Sequence, residues 1–170
     1  MSQTLASFAG NRNEDFRTPR SFIKWLKEER GLEFDLDAAA SSTNTVAPQY
    51  FTKEDDALNQ DWFGRVWLNP PYGRQITNWI DKCGEQIKRP EVESIWVLVP
   101  ARVDTIWFHD KVMKSAYNVY LIKGRFNFTH RTSLSGKNAP FPAMLVCYRK
   151  HRLPGSGITT MTVPSSARSD

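Results

Sequence analysis

Apolar and polar residues recur along this chain with periods that change from segment to segment, and the periods predict the elements. Residues 95–99, Ile-Trp-Val-Leu-Val, form an unbroken apolar run that suits a central strand covered on both faces, and Pro100 closes it. Ile76, Trp79, Ile80, Cys83 and Ile87 fall at helical spacing, and Arg89-Pro90 stops that helix. Thr18-Pro19 reads as an earlier helix start, with Thr18 as N-cap, Pro19 at the first helical position and Gly31 placed to end it. Phe22, Trp25 and Leu26 give that helix one apolar face. Short strands are predicted over residues 33–37, where Phe34 and Leu36 alternate with acids, and over 65–68, 119–122 and 143–148. Asp104 is placed to cap a third helix holding Trp107, Phe108, Val112 and Met113. Residues 38–61 are small, polar and non-periodic, a loop with room for one short helix.

Strand, helix, strand, helix, strand, strand is an α/β order, so a mostly parallel, doubly wound sheet is expected. The 170 residues suit one domain. Its expected limits are 15–150, with a flexible N-terminus over 1–14 and a mobile Gly/Ser/Pro/Thr-rich tail over 151–170. No internal repeat is visible.

Composition narrows the partners. Hydrophobic residues make up 40% and charged residues 24%, as in ordinary globular proteins. Lys and Arg number 23 against 18 Asp and Glu, a formal charge of +5 that mildly favours a polyanionic partner. The N-terminus has no apolar core of a signal peptide, and no apolar run approaches the ~20 residues of a membrane span. Cys83 and Cys147 sit in periodic apolar segments and read as reduced core residues, which favours a cytoplasmic protein. His109, His130 and His151 lack metal-ligand spacing, so no metal is expected, and no obligatory protein partner is evident.

The chemistry resides in Asn69-Pro70-Pro71-Tyr72, which follows a strand directly. An exocyclic aromatic amine is a poor nucleophile because its lone pair is delocalised into the ring. Acceptors that hold its two hydrogens draw the nitrogen toward tetrahedral geometry. The Asn69 side-chain oxygen can take one hydrogen and the Pro70 carbonyl the other. Pro71 restricts Pro70 to an extended conformation, and Tyr72 offers a flat face to a planar base. Ligands of open α/β sheets bind beyond the carboxyl ends of the strands, where this loop falls. A chance acid-or-amide-Pro-Pro-aromatic match in a chain this long is on the order of one in a hundred. The plain structural alternative is a Pro-Pro turn with a packed tyrosine.

Together with Thr18-Pro19, Phe34-Asp35-Leu36-Asp37-Ala38-Ala39-Ala40-Ser41, Asn44, Asp55-Asp56-Ala57-Leu58, Trp62 and Gly124-Arg125-Phe126, the loop forms an ordered series. Over about residues 15–149 the chain resembles the phage-type DNA N-6-adenine methyltransferases, the small Dam-like family of bacteriophages and prophages. The resemblance implies an abbreviated Rossmann-like methyltransferase fold and transfer of a methyl group from S-adenosylmethionine to adenine N6 in DNA, in the cytoplasm of a bacterial host. It further implies that Asp37, with Ala38 beside it, meets the methionine part of the donor, that Thr18 and Pro19 pack near the same moiety, and that Asp56 contacts the donor's adenine amine. Each has a plainer reading: a helix cap for Thr18-Pro19, a turn cap for Asp37, a turn for Asn44 and a solvated acid for Asp56. Two departures stand out. No glycine occurs between Gly31 and Gly64, so Ala38-Ala39-Ala40-Ser41 replaces the glycine-rich donor loop. The roughly thirty residues between Asp37 and Asn69 also leave no room for further strand–helix units, an abbreviation the small family shares.

The chain has no room for a separate target-recognition domain. The expected DNA contacts are Arg74 and the basic stretch 123–137, with Lys123, Arg125, Arg131 and Lys137 beside Phe126 and Phe128. The alternative for that stretch is a basic hairpin with both phenylalanines in the core. Competing activities are methylation of another planar nitrogen (protein glutamine, an RNA base or cytosine N4), or a non-catalytic DNA- or donor-binding remnant.

Overall fold

The computed structural model describes residues 16–130, 133–139, 141–151 and 157–170, with backbone alone at 129–130 and 133–138. Among the described residues there are nine strands: β1 (Leu36–Asp37), β2 (Gln49–Tyr50), β3 (Gly64–Leu68), β4 (Val92–Pro100), β5 (Asn118–Lys123), β6 (Asn127–His130), β7 (Ser133–Asn138), β8 (Ala143–Arg149) and β9 (Ile158–Thr162). Seven of them form one sheet in the order β2-β1-β3-β4-β8-β5-β9, and β6 and β7 pair as a separate antiparallel hairpin. Within the sheet only β8 runs against the rest. The mostly parallel α/β sheet expected from the element order is therefore observed.

Two cores, one on each face, explain the apolar runs. Along β4, Ile95, Val97 and Val99 enter one core while Trp96 and Leu98 enter the other. In β3, Val66 and Leu68 face one way and Trp67 the other; in β8, Met144, Val146 and Tyr148 oppose Leu145 and Cys147. A strand covered on both faces loses the polar half of its alternation, which is why β4 reads as continuous. Cys83 and Cys147 are free, buried and on opposite faces.

Helix α1 (Arg20–Arg30) covers one face through Phe22 and Leu26. Gly31 ends it in the left-handed region (φ 63°), donating to the Lys27 carbonyl while Leu32 donates to that of Leu26. Its start differs from expectation. Pro19 is the cap residue and Thr18 makes no capping bond; the carboxylate of Asp170 accepts the Arg20 and Ser21 amides, both at 2.9 Å. Helix α2 (Ile76–Gln86) buries Ile76, Trp79, Ile80 and Cys83 on the other face, as its spacing predicts. The third helix is a π-helical stretch, Phe108–Val112, running into the short α3 (Met113–Ser115). Asp104 does not cap it; the Thr105 hydroxyl instead donates to the Arg102 carbonyl.

The strand expected over 33–37 shortens to β1, because the Asp35 carboxylate turns to the Arg65 amide and guanidinium. Within the loop 38–61 lie β2 and a 3-10 turn, Ala57–Asn59. The larger correction is the tail. Residues 157–170, expected to be mobile, supply β9, parallel to β5, and then a 3-10 turn, Ser165–Ala167, with Met161, Val163 and Ala167 buried. Asn118 anchors the entry, donating to the Thr159 hydroxyl and accepting from the Gly157 amide. β5 would otherwise present an unpaired edge, and β9 covers it, with Met161 and Val163 turned to the core. Among the described residues no helix is long and apolar enough to cross a membrane.

Candidate active site

Because all strands but β8 run one way, the loops after β1, β2, β3, β4 and β5 leave from one rim of the sheet. The start of β8 meets the same rim, since Ala143 pairs with Pro100. The Asn69-Pro70-Pro71-Tyr72 tetrapeptide follows Leu68 there, between the ends of β1 and β4.

The Asn69 side chain is held at both ends. Its amide nitrogen donates to the Phe16 carbonyl at 2.7 Å and to the Thr18 hydroxyl at 3.1 Å. Its oxygen accepts from the Tyr72 hydroxyl at 2.8 Å, and Tyr72 also reaches the Leu98 carbonyl at 3.3 Å. An amide oxygen has two lone pairs, so Asn69 retains acceptor capacity after the tyrosine bond. Burial pushes the Tyr72 phenol's pKa up, so Tyr72 acts as a neutral donor. Pro70 is buried, whereas Pro71 and Arg74 are exposed.

Around Tyr72 the rings form a wall. Phe16 lies 5.3 Å away, tilted by 30°, and Phe141 stands edge-on at 5.5 Å; Phe16 and Phe141 also meet edge-on at 5.3 Å. Neither Phe16 nor Phe141 was singled out in the sequence. The available signal was Pro140-Phe141-Pro142, a second proline-framed aromatic ahead of a strand.

Asp37, at the end of β1, is 4% exposed. Its carboxylate accepts the Ala39 amide at 3.3 Å and the Val46 amide at 3.0 Å, and desolvation pushes its pKa up to about 6. Its carbonyl accepts from Phe51. Asp37 thus organises the alanine loop that replaces a glycine-rich one. Ala38 donates to the Trp67 carbonyl, Ala40 to that of Phe51, and Ser41 and Asn44 exchange backbone bonds across a turn. Alanine suffices because no residue of this loop needs a positive φ; among the described non-glycine residues only Asp56 has one (51°).

The remaining residues are less concentrated. Thr18 is buried and joined to Asn69, and Pro19 is buried beside it. Asp56 lies in the loop after β2, exposed, its carboxylate accepting from the Asn59 side chain at 2.7 Å. Trp62 is a core residue whose indole donates to the Ala57 carbonyl. Phe126 and Phe128 are buried, and part of the basic stretch forms the hairpin of β6 and β7. Arg125 is exposed but donates to the Ala139 carbonyl at 3.1 Å, bracing the hairpin base. Lys123 is exposed at the end of β5. Arg131 lies outside the described residues, and Lys137 is placed by its backbone alone, in β7.

Comparison with known proteins gives this arrangement a family. The DNA N-6-adenine-methyltransferase (Dam) family matches residues 7–169. The chain is 36% identical over 107 residues to a DNA N-6-adenine-methyltransferase of Escherichia phage T1, covering 61% of this chain and 43% of that protein. It is 26% identical over 133 residues to a DNA N-6-adenine-methyltransferase of Haemophilus phage HP1 (strain HP1c1), covering 77% of this chain and 76% of the relative. The chain thus spans less than half of the T1 protein and about three quarters of the HP1 one. With the match running through both halves of the sheet and the Asn69 loop between them, the chain belongs to the DNA N-6-adenine-methyltransferase (Dam) family.

Proposed function

We propose that this protein transfers a methyl group from S-adenosylmethionine to the exocyclic N6 of adenine in DNA, with the base turned out of the helix into the rim of the sheet. The observation that carries the reading is the Asn69 amide, fixed with its oxygen beside Tyr72. A residue held in this way presents an acceptor in a set direction, which is what polarising an amine requires. S-adenosylmethionine would supply an electrophilic methyl group on sulfonium sulfur.

In this reading the Asn69 oxygen and the Pro70 carbonyl each accept one hydrogen of the adenine amine. Its lone pair is thereby freed to form the N6–methyl bond as the sulfur–methyl bond breaks. The nitrogen gains positive charge as it attacks, so acceptors on its hydrogens bind more strongly in the transition state than before it. The cationic nitrogen then loses one of those hydrogens as a proton to water, and no general base is required. Tyr72, with Phe16 and Phe141 behind it, gives the planar base an apolar wall.

The donor site is read at Asp37 and Ala38, with Pro19 at the start of α1 as a further candidate. Among the described residues the Asp37 carboxylate has two backbone donors for roughly four acceptor positions, and its raised pKa reflects a buried charge without a cation. An α-ammonium group, such as the donor's methionine part carries, fits that deficit. Asp56 remains the candidate for the donor's adenine amine, on the loop two strands along the rim. Arg74, Lys123 and Arg125, with Arg131 and Lys137 of the basic stretch, are the proposed phosphate contacts; Arg125 also braces the hairpin base through the Ala139 carbonyl and keeps further N–H donors for a phosphate.

The test is transfer of labelled methyl from S-adenosylmethionine to unmethylated DNA, recovered as N6-methyladenine after digestion. Label appearing only in protein, in RNA or at cytosine would overturn the substrate assignment, and absence of donor binding by calorimetry would leave a remnant. Asn69→Ala is expected to abolish transfer while donor affinity stays within about twofold. Parallel loss of donor binding and folding would make Asn69 structural.

A further inference from the structure

We propose that Thr18 is a positioning residue for Asn69: its hydroxyl oxygen, with the Phe16 carbonyl, sets which end of the Asn69 amide faces the reacting amine. The proposal rests on the reading of Asn69 as the group that polarises that amine.

The two ends of an asparagine amide are nearly the same size but opposite in chemistry, and only the oxygen end can accept an amine hydrogen. Nothing in the shape of the side chain selects the useful orientation; its neighbours must. On one side of Asn69 stand two acceptors, the Phe16 carbonyl at 2.7 Å and the Thr18 oxygen at 3.1 Å. On the other stands a donor, the Tyr72 hydroxyl at 2.8 Å. Reversing the amide would place its oxygen 2.7 Å from the Phe16 carbonyl oxygen, which has no proton to give, and would remove the N–H bonds to Phe16 and Thr18. The Phe16 carbonyl alone satisfies one N–H. Thr18 takes the second, and the two together fix the amide plane as well as its direction.

Thr18 is suited to this because its own place is fixed. It is 4% exposed and directly precedes Pro19, which confines it to an extended conformation. Pro19 in turn accepts the Phe22 amide at the start of α1. The Asp170 carboxylate holds the next two amides of that helix, and Ser21 Oγ donates to the Ser169 carbonyl. The hydroxyl therefore stands on a helix start tied down from a distant part of the chain. This use of the threonine differs from packing against the methyl donor, and the two roles separate kinetically.

The experiment compares wild type, Thr18→Val, Thr18→Ser and Asn69→Ala in single-turnover methylation with donor and DNA both saturating, and measures donor affinity by calorimetry. Thr18→Val keeps the shape and removes the acceptor. It is expected to lower the single-turnover rate about tenfold, the loss of one hydrogen bond to the reacting group's holder, with donor affinity within about twofold. Thr18→Ser restores the oxygen and is expected to restore the rate. Side-chain amide NMR supplies a second readout: the Asn69 NH2 protons are expected to exchange faster in Thr18→Val than in wild type or Thr18→Ser. If Thr18→Val does not fold, Thr18→Ala is measured in its place against the same serine rescue. A full rate in the valine variant, or a loss of donor affinity that accounts for the loss of rate, overturns the proposal. If Asn69→Ala transfers methyl as fast as wild type, the underlying reading of Asn69 has failed; if Asn69→Ala is inactive and Thr18→Val is not slowed, only the positioning role has.

Discussion

At Asp37 a single side chain organises the alanine loop and, in the proposed reading, meets the methyl donor. Two backbone amides hold the carboxylate, yet desolvation outweighs them and its pKa rises to about 6 from 3.8. A carboxyl whose folded pKa is raised binds protons more tightly folded than unfolded. Its destabilising contribution is therefore fully present above about pH 6, shrinks as pH falls through 6, and is gone below about 3.8. The range is worth on the order of 3 kcal/mol. Donor-free protein is thus expected to gain stability from this group between pH 7 and 5, and Asp37→Asn to lose that gain, as thermal melts across the range would show. Donor binding has the opposite sign, since an ammonium needs the ionised carboxylate. Affinity should weaken as pH drops below about 6, and Asp37→Asn should bind weakly with little pH dependence by calorimetry. The candidate residues Asn69 to Tyr72 were legible as a site because the chemistry proposed for them is compressed into adjacent positions. Phe16 was not: it contributes a backbone carbonyl to the site, and any residue type has one.

At the scale of elements, legibility followed whether an element's residues answer to their own period or to a distant partner. Helix α2 and strand β4 were readable because burial fixes their spacing. The cap of α1 was not, because it comes from Asp170, about 150 positions away. Gly124 is similar. It takes φ 96°, and a Cβ there would lie 1.9 Å from the Arg168 guanidinium, which donates to the Arg125 carbonyl while the Arg168 carbonyl accepts from Asn127. Gly124 thus turns the chain from β5 into the hairpin and makes room for the segment that crosses its base. Gly124→Ala is expected to cost about 1–3 kcal/mol, strain in a backbone conformation alanine avoids. Combining it with Arg168→Ala should relieve the contact but not the φ strain, so the double variant should stay less stable than Arg168→Ala alone in denaturant melts. Equal stability of those two proteins would show that the backbone conformation carries no cost.

Over the whole molecule, strand direction decides where the candidate residues stand. Strands β1, β3, β4 and β5 all end at one rim, which gathers Asp37, the Asn69 loop, Arg102 after β4, and Lys123 and Arg125 ahead of the hairpin. Arg74, Arg102 and Lys123 are exposed there, though the chain's formal charge is only +5, so location matters more than total. If that rim faces DNA, each cation that neutralises a phosphate releases counterions. Affinity should then fall steeply with salt, with a slope of about 0.9 per phosphate contact. Arg74→Ala and Lys123→Ala are each expected to weaken DNA binding across all sequences and to reduce the salt slope by about 1, with donor affinity unchanged. Arg102 is the sharper case, because its residue type gave no signal in the sequence and only its place past the carboxyl end of β4, next to β3, brings it to the rim that carries the Asn69 loop. Arg102→Ala should behave as the other two do. A salt slope unchanged in all three variants would place the DNA on another face and remove the rim from the binding surface.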